Sequence, residues 1–284
     1  MKCTLTYKAK SFVISIPEDG IGALLFDEAS KQTKIAPKRT IIVYNKNGDE
    51  ILINKDTKIK DIGVSTFIVK DAGLSLDWKT VFLLAYLGPF SIAIAFVLLL
   101  GDKLKWNCYF TIGFIMWELH YVKRAYEAIS VHAYSQSLMP FIGVMKNVVY
   151  YWGFTLLITY NMYKRSQTID KLELCQIIAI PLWFVSECLN FYCHYTLAHL
   201  RPKGSKERFL PKGFLFNRIT SPNYTFEISG CIFFAVYTRL ITAVIFATVG
   251  GSYMLMCAHQ KRKSYIKRWP EAKNRGRITP FTFL

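Results

Sequence analysis

Apolar and polar positions change period along this chain. Over residues 1–70 they come in short alternating runs with one helical interruption. Residues 4–7 and 12–16 alternate as half-buried strands do, and residues 20–31 repeat apolar side chains at Ile21, Leu24, Leu25 and Phe26. Residues 40–44 and 51–53 flank Asn45-Lys46-Asn47-Gly48, which has the chemistry of a tight hairpin turn, and residues 66–69 offer a last strand. The predicted order is β-β-α-β-β-β, a small soluble α+β domain with a core just adequate for independent folding.

After a linker over residues 71–80, with Gly73 and the interfacial aromatic Trp78, the pattern turns to long apolar runs. Residues 81–100 are enough to cross the hydrocarbon, with a kink expected at Gly88-Pro89. Residues 109–117 are less apolar and run on at helical period to Arg124. Residues 141–160 and 172–197 are two further spans. Residues 228–258 exceed one crossing, and Gly250-Gly251 is the expected break into a hairpin of two. Arg239 lies inside that stretch and must face protein, a ligand or a cavity. The pattern predicts an α-helical multi-span membrane domain of about six or seven transmembrane helices over residues 81–284. The direct count is about six, with five or seven as alternatives.

Charge strengthens this reading. Residues 1–79 hold 13 Lys/Arg against 10 Asp/Glu, a net +3, whereas the remaining 205 hold 23 against 9, a net +14. Apolar spans joined by basic loops suit anionic lipid or anionic ligands. A nucleic-acid binder needs such charge but not residues 81–100, so nucleic acid is not an expected partner. The basic 199–218 loop and the tail favour the cytosolic side for both. The seven cysteines are odd in number and lack C-x-x-C spacing, so they read as small hydrophobes, not as disulfides or zinc ligands. Residues 1–17 alternate and form no signal-peptide core.

Three polar groupings interrupt the apolar runs. Asn190, His194 and Arg201 are four and then seven residues apart, so a continuing helix aligns them on one face. They compete between interhelical hydrogen bonding and ligand binding. Pro202-Lys203-Gly204-Ser205-Lys206 follows them, where glycine permits close backbone approach and the cations pair with phosphate. Ser221-Pro222 reads as an N-cap and first helical residue, placing Asn223 and Tyr224 in the first turn and Glu227 one turn on. The free N–H groups there favour an anion, and their field or a nearby Lys is expected to lower the Tyr224 pKa from about 10. His120, Lys123, Arg124 and Glu127 form one helical stripe beside Tyr121, which is either a snorkelling belt or part of a site. His120 and His132 lack partners at ligand spacing, so no metal is expected. Residues 261–263, Arg268 and residues 275–277 either face lipid or, through Tyr265 and Arg275, fold over a ligand. There is no G-x-G-x-x-G and no Walker motif, which excludes a soluble nucleotide fold as the source of the site. The groupings outline a pocket for a phosphate-bearing cofactor at a membrane surface.

In order along the chain, GLSLDWKTVF, HYVKRAYEAISVHAYSQSLMP, KNVVYYWGF, LRPKGS, SPNYTFE and SYIKRW…TPF resemble the membrane trans-2-enoyl-CoA reductases of very-long-chain fatty acid elongation. These are relatives of the steroid 5α-reductases with a ubiquitin-like N-terminal region, and residues 1–70 resemble that β-grasp. The likeness covers nearly the whole chain. It implies an endoplasmic reticulum enzyme, multi-pass, that uses NADPH to reduce a long-chain trans-2-enoyl-CoA, in contact with membrane lipid and other fatty acid elongation enzymes. It implies that Tyr224 and Lys123 are catalytic and that Tyr121 polarises the substrate carbonyl. It further implies that Asn190, His194, Arg201, Asn223, Glu227, Tyr265 and Arg275 surround the cofactor. His120, Arg124, Glu127 and His132 are the substrate-binding candidates.

The chain departs from the family pattern at Ala85, where relatives tend to have Glu, and at Ala133 and Ala198, where they tend to have Arg. The first removes half of a two-residue carbonyl clamp, and the others remove phosphate partners. The alternative functions are a steroid or polyprenol reductase of the same superfamily and a catalytically inactive interaction subunit of an elongation complex.

Overall fold

The computed structural model describes residues 1–17, 19–37, 39–46, 49–132, 138–169, 171–200 and 209–279. The chain divides into two compact units, each with its own core.

The first unit holds β1 (Lys2–Tyr7), β2 (Lys10–Ser15), α1 (Gly22–Thr33), β3 (Thr40–Lys46), β4 (Asp49–Leu52) and β5 (Thr66–Asp71). Its sheet runs β2-β1-β5-β3-β4, with β1 and β5 parallel and the other neighbours antiparallel. Period-two alternation turns Leu5, Ile42, Phe67 and Val69 inward, where they pack with Leu25, Phe26 and Ala29 of α1. Lys46 pairs with Asp49 across the hairpin, and Asn47-Gly48 lie outside the described residues. The linker holds a further strand, β6 (Ser75–Asp77), paired antiparallel with β7 (Leu138–Pro140). Segments of three residues carry too little periodicity to be read from sequence.

The second unit is built from α2 (Trp78–Leu100), α3 (Cys108–Tyr126), α4 (Phe141–Ser166), α5 (Leu174–Ala198), α6 (Pro222–Thr238) and α7 (Ile241–Arg268). Four of them, α2, α4, α5 and α7, are long and apolar enough to cross a membrane. This is a membrane protein. The sequence count of six spans therefore becomes six helices with four that qualify. The reasons are local: α3 carries Glu118, His120, Lys123 and Arg124, and α6 has only 17 residues.

The break within residues 228–258 is not at Gly250-Gly251. It is at Arg239, which ends α6 in the left-handed conformation (φ 52°) and pairs with Glu173. Arg239 is thus a partly exposed turn residue, and its charge needs no cavity. Gly250 continues α7 because it is a contact point: a Cβ there would stand 2.5 Å from the Tyr150 hydroxyl. Gly88 acts likewise, since a Cβ would overlap the Trp152 indole, whose Nε1 donates to the Leu84 carbonyl at 2.9 Å. Pro89 is accommodated inside α2.

Helix positions are fixed by buried polar contacts, because lipid tails offer no hydrophobic drive between helices. The Tyr109 hydroxyl donates to the Thr238 carbonyl and the Tyr237 hydroxyl to the Tyr109 carbonyl, both at 2.8 Å. Gln176 Nε2 donates to the Tyr237 carbonyl at 2.6 Å. These bonds tie α3, α5 and α6 together at one end and set their facing stripes in line. A chain beginning at Ala72 keeps β6 and every helix of the second unit. It is expected to insert and to unfold cooperatively, as thermal unfolding of the purified protein in detergent would show. Correctly inserted protein without a cooperative transition would mean that the second unit does not fold by itself.

Candidate active site

On α3, 3/4 spacing lines up His120, Lys123 and Arg124, and a π-turn over Glu127–Val131 continues the chain, with the His132 N–H on the Glu127 carbonyl at 2.8 Å. On α5 the same spacing aligns Glu187, Asn190 and His194, all buried. The first two turns of α6 present Asn223, Tyr224 and Glu227.

These stripes meet in one network. Lys123 Nζ lies 2.7 Å from Glu187 Oε2 and donates to Asn190 Oδ1 at 2.5 Å. His120 Nδ1 is 2.9 Å from Glu187 Oε1. Asn190 Nδ2 donates at 2.9 Å to both the Asn223 carbonyl and Glu227 Oε2. Arg124 reaches three helices' worth of partners: Nη1 donates to Glu127 Oε2 at 2.8 Å, Nη2 to the Tyr86 hydroxyl at 2.7 Å, and Nε stands 3.5 Å from Glu227 Oε1. His194 Nδ1 is 3.0 Å from Glu127 Oε2, and its Nε2 is 3.4 Å from Asn223 Nδ2. Arg124 Nη1 also lies 3.2 Å from His194 Nδ1, so the imidazole is held between the guanidinium and the Glu127 carboxylate.

The structure therefore unites His120, Lys123, Arg124, Glu127, Asn190, His194, Asn223 and Glu227, and the helical stripe belongs to a network between helices, not to a snorkelling belt. His132 stacks edge-on over His194 with ring centroids 4.9 Å apart. Arg201 lies outside the described residues. Tyr265 stays on α7, edge-on to Trp269. Arg275 is buried and donates to the Pro211 carbonyl at 2.8 Å. It reaches the start of α6 because the tail pairs with it: Thr220 N–H bonds the Gly276 carbonyl at 2.8 Å and Ser221 N–H the Arg277 carbonyl at 3.0 Å.

Ser221 is the N-cap of α6, as predicted, but its side chain makes no capping bond. Its Oγ, Thr220 Oγ1 and Asn223 Oδ1 are buried without a hydrogen-bond partner among the described residues. Orphaned polar atoms at a helix start fit a phosphate- and amide-bearing ligand. Tyr224, outside the four apolar spans, departs from expectation. Burial pushes its phenol up, reinforced by Cys257 and Glu227, and this outweighs the helix field that was expected to lower it.

Glu187 and Tyr86 were missed from the sequence. Glu187 had a legible signal, an acidic residue inside an apolar run, three before Asn190 and on the same face. Glu127, His132 and His194 also bring three ligand-type atoms within 4.8 Å of one another, a grouping hidden by their separation in sequence. The Arg124 guanidinium already supplies positive charge to the Glu127 carboxylate there, which disfavours a cation in the same place.

Outside the four apolar spans, His132 and Glu127 lose stability toward acid, while Glu118, raised to about 7 by burial, opposes that loss. Burial, with Arg124 and His194, pushes His132 down to about 4. Burial alone would raise Glu127, but the His194 hydrogen bond and the charges of Arg124 and Lys123 hold it below the usual carboxylate range. The unfolded chain protonates His132 near pH 6.5, before the folded chain does, so the His132 contribution to stability is lost as pH drops from about 6.5 toward 4. Glu127 adds a further loss below about pH 4.3. Thermal unfolding in detergent across pH 7 to 4 should show His132→Gln gaining stability relative to the parent as pH falls. A difference between the two curves that does not change with pH would contradict it.

Residues 137–283 match the family described as 3-oxo-5-alpha-steroid 4-dehydrogenase. The chain is 34% identical to the "Very-long-chain enoyl-CoA reductase" of Dictyostelium discoideum, over 81% of this chain and 79% of that protein. It is 32% identical to the "Probable very-long-chain enoyl-CoA reductase art-1" of Caenorhabditis elegans, over 89% and 88%. A "Putative enoyl reductase" of Schizosaccharomyces pombe is 33% identical over 94% and 93%. Similarity at this level along nearly the whole chain places the protein in the very-long-chain enoyl-CoA reductase family of the steroid 5α-reductase superfamily.

Proposed function

We propose that this chain reduces a long-chain trans-2-enoyl-CoA to the saturated acyl-CoA with NADPH, as the last step of very-long-chain fatty acid elongation. The support is the junction of the first turns of α6 with the Lys123-Arg124 stripe of α3 and the Asn190-His194 stripe of α5, in a chain of this family. The reading places the protein in the endoplasmic reticulum membrane, multi-pass, with basic loops and tail cytosolic. There a ubiquitin-like N-terminal unit serves contacts with other elongation enzymes.

The nicotinamide cofactor of such reductases supplies a hydride when bound. Asn190, His194, Asn223, Glu227 and Tyr265 would surround it, and Arg275 and Arg201 would hold its phosphates. On the substrate, the β-carbon gains hydrogen with an electron pair, and negative charge moves to the thioester oxygen. Tyr121 donates a hydrogen bond to that oxygen, and Lys123, fixed by Glu187 and Asn190, adds positive charge. Tyr224 completes the reduction: its O–H bond breaks, the α-carbon–H bond forms, and solvent returns the proton to the phenolate. A raised phenol pKa keeps that proton in place at neutral pH. An enolate carbon is more basic than a phenolate, so the transfer still runs downhill. His120, Arg124, Glu127 and His132 border the acyl-CoA, whose chain leaves between apolar helices.

NADPH consumption by the purified protein, with a long-chain trans-2-enoyl-CoA and separately with an enone steroid, tests the reading. Turnover of the thioester alone is expected. Turnover of the steroid alone would make the chain a steroid reductase, and turnover of neither would make it an inactive subunit. Arg275→Ala should weaken NADPH binding about tenfold or more, as loss of a charge-assisted contact does. Unchanged affinity would return Arg275 to a purely structural role at Pro211.

A further inference from the structure

Three phenols from three helices meet beside Arg124. The rings of Tyr86 on α2, Tyr121 on α3 and Tyr151 on α4 form a triangle. Centroid distances are 6.5 Å (Tyr86–Tyr121), 5.9 Å (Tyr86–Tyr151) and 6.4 Å (Tyr121–Tyr151). The Arg124 guanidinium lies over the Tyr86 ring, 4.9 Å from its centroid.

The hydroxyls are not equivalent. That of Tyr86 accepts from Arg124 Nη2 at 2.7 Å, which fixes its orientation. That of Tyr150, the chain neighbour of Tyr151, donates to the Phe246 carbonyl at 2.7 Å, and its ring stacks on Phe246. The Tyr121 hydroxyl is fully buried and has no hydrogen-bond partner among the described residues. The Tyr151 hydroxyl also has no hydrogen-bond partner among the described residues, although its ring is packed against Tyr86, Tyr121, Tyr150 and Phe246. A buried donor without an acceptor, as at Tyr121, is destabilising, and a second uncommitted phenol beside it, on the partly exposed Tyr151, marks a place where an acceptor arrives with a ligand. A thioester oxygen has two lone pairs and takes up negative charge during reduction, so it is served best by two donors.

We propose that Tyr151 is a second catalytic donor, sharing the thioester oxygen with Tyr121, while Arg124 holds Tyr86 as the wall that positions both. This rests on the enoyl-CoA reductase reading and deepens it. No bond to Tyr151 is made or broken: it donates one hydrogen bond that strengthens as charge develops on the oxygen. Tyr86 and Tyr121 are closed to solvent whereas Tyr151 is partly exposed, so α4 is the side from which the thioester reaches the pair.

The test is single-turnover reduction of a long-chain trans-2-enoyl-CoA by the full-length parent, Tyr151→Phe and Tyr150→Phe. Rates are normalised to NADPH-binding sites, and affinity for the saturated acyl-CoA and melting temperature are measured alongside. Loss of one oxyanion donor typically costs about 10²- to 10³-fold in rate. Tyr151→Phe should show that loss with acyl-CoA and NADPH affinities within about threefold of the parent, since the interaction is made chiefly in the transition state. Tyr150→Phe, whose hydroxyl is already committed to Phe246, should keep the parental rate per site. A Tyr151→Phe rate within about threefold of the parent would overturn the proposal. So would rate, affinity and melting temperature falling together, which is the pattern of a packing residue. A parent without activity on the thioester would instead remove the reductase reading, and the donor role with it.

Discussion

Tyr224→Phe is expected to lower the rate of enoyl-CoA reduction about 10²- to 10⁴-fold while the protein stays folded and NADPH-bound. Pro222 starts α6 and Asn223 is buried against Asn190 and His194, so the backbone that carries Tyr224 is fixed from both sides. The phenol hydroxyl makes no hydrogen bond among the described residues that the substitution would break, and the ring keeps its packing. Loss of the oxygen therefore removes the proton donor and little else. The rise of its pKa by burial sharpens the expectation, because the group stays protonated through the working pH range. Single-turnover kinetics with NADPH affinity measured in parallel decides the point. A variant within about threefold of the parent would eliminate Tyr224 as the donor.

Arg124→Met is expected to be the most destabilising single change at the site, about 3–5 kcal/mol. One guanidinium serves Tyr86, Glu127 and Glu227, on α2, the π-turn and α6. Its removal leaves Glu127 buried with His194 and a Lys123 ammonium 3.8 Å away, and strips Glu227 of its nearest cation. Arg124→Lys should rescue little, because a point ammonium does not reproduce a fork with three directions. The Arg239–Glu173 pair is the contrast, with side chains 42% and 61% exposed, where Arg239→Ala should cost at most about 1 kcal/mol. Chemical unfolding in detergent micelles measures both. An Arg124→Met protein as stable as Arg239→Ala would show that the buried network does not hold the helices together.

Local periodicity carried most of what was legible in the sequence. Alternation at residues 4–7 and 12–16 gave β1 and β2, and the long apolar runs gave the helices of the second unit. The stripes His120-Lys123-Arg124 and Asn190-His194 were visible for the same reason, since 3/4 spacing is a local property. What spacing cannot show is pairing at a distance. Lys123 and Glu187 are far apart in sequence and meet only because α3 and α5 face each other, so the choice between a snorkelling belt and a network between helices needed the fold. Gly250 misled because a glycine that admits Tyr150 looks, in sequence, like one that ends a helix. The roles proposed for Tyr86 and Tyr151 were invisible because an aromatic residue in an apolar run is ordinary. Only the commitments of their hydroxyls set them apart from Tyr150.

The most direct test of the central claim follows the atoms. The purified protein is given a long-chain trans-2-enoyl-CoA and NADPH deuterated at its transferable position, in ordinary water, and the product is read by mass spectrometry and NMR. The account predicts saturated acyl-CoA carrying one deuterium at the β-carbon and none at the α-carbon, whose hydrogen comes from solvent through Tyr224. No saturated product, or deuterium at the α-carbon, would contradict it.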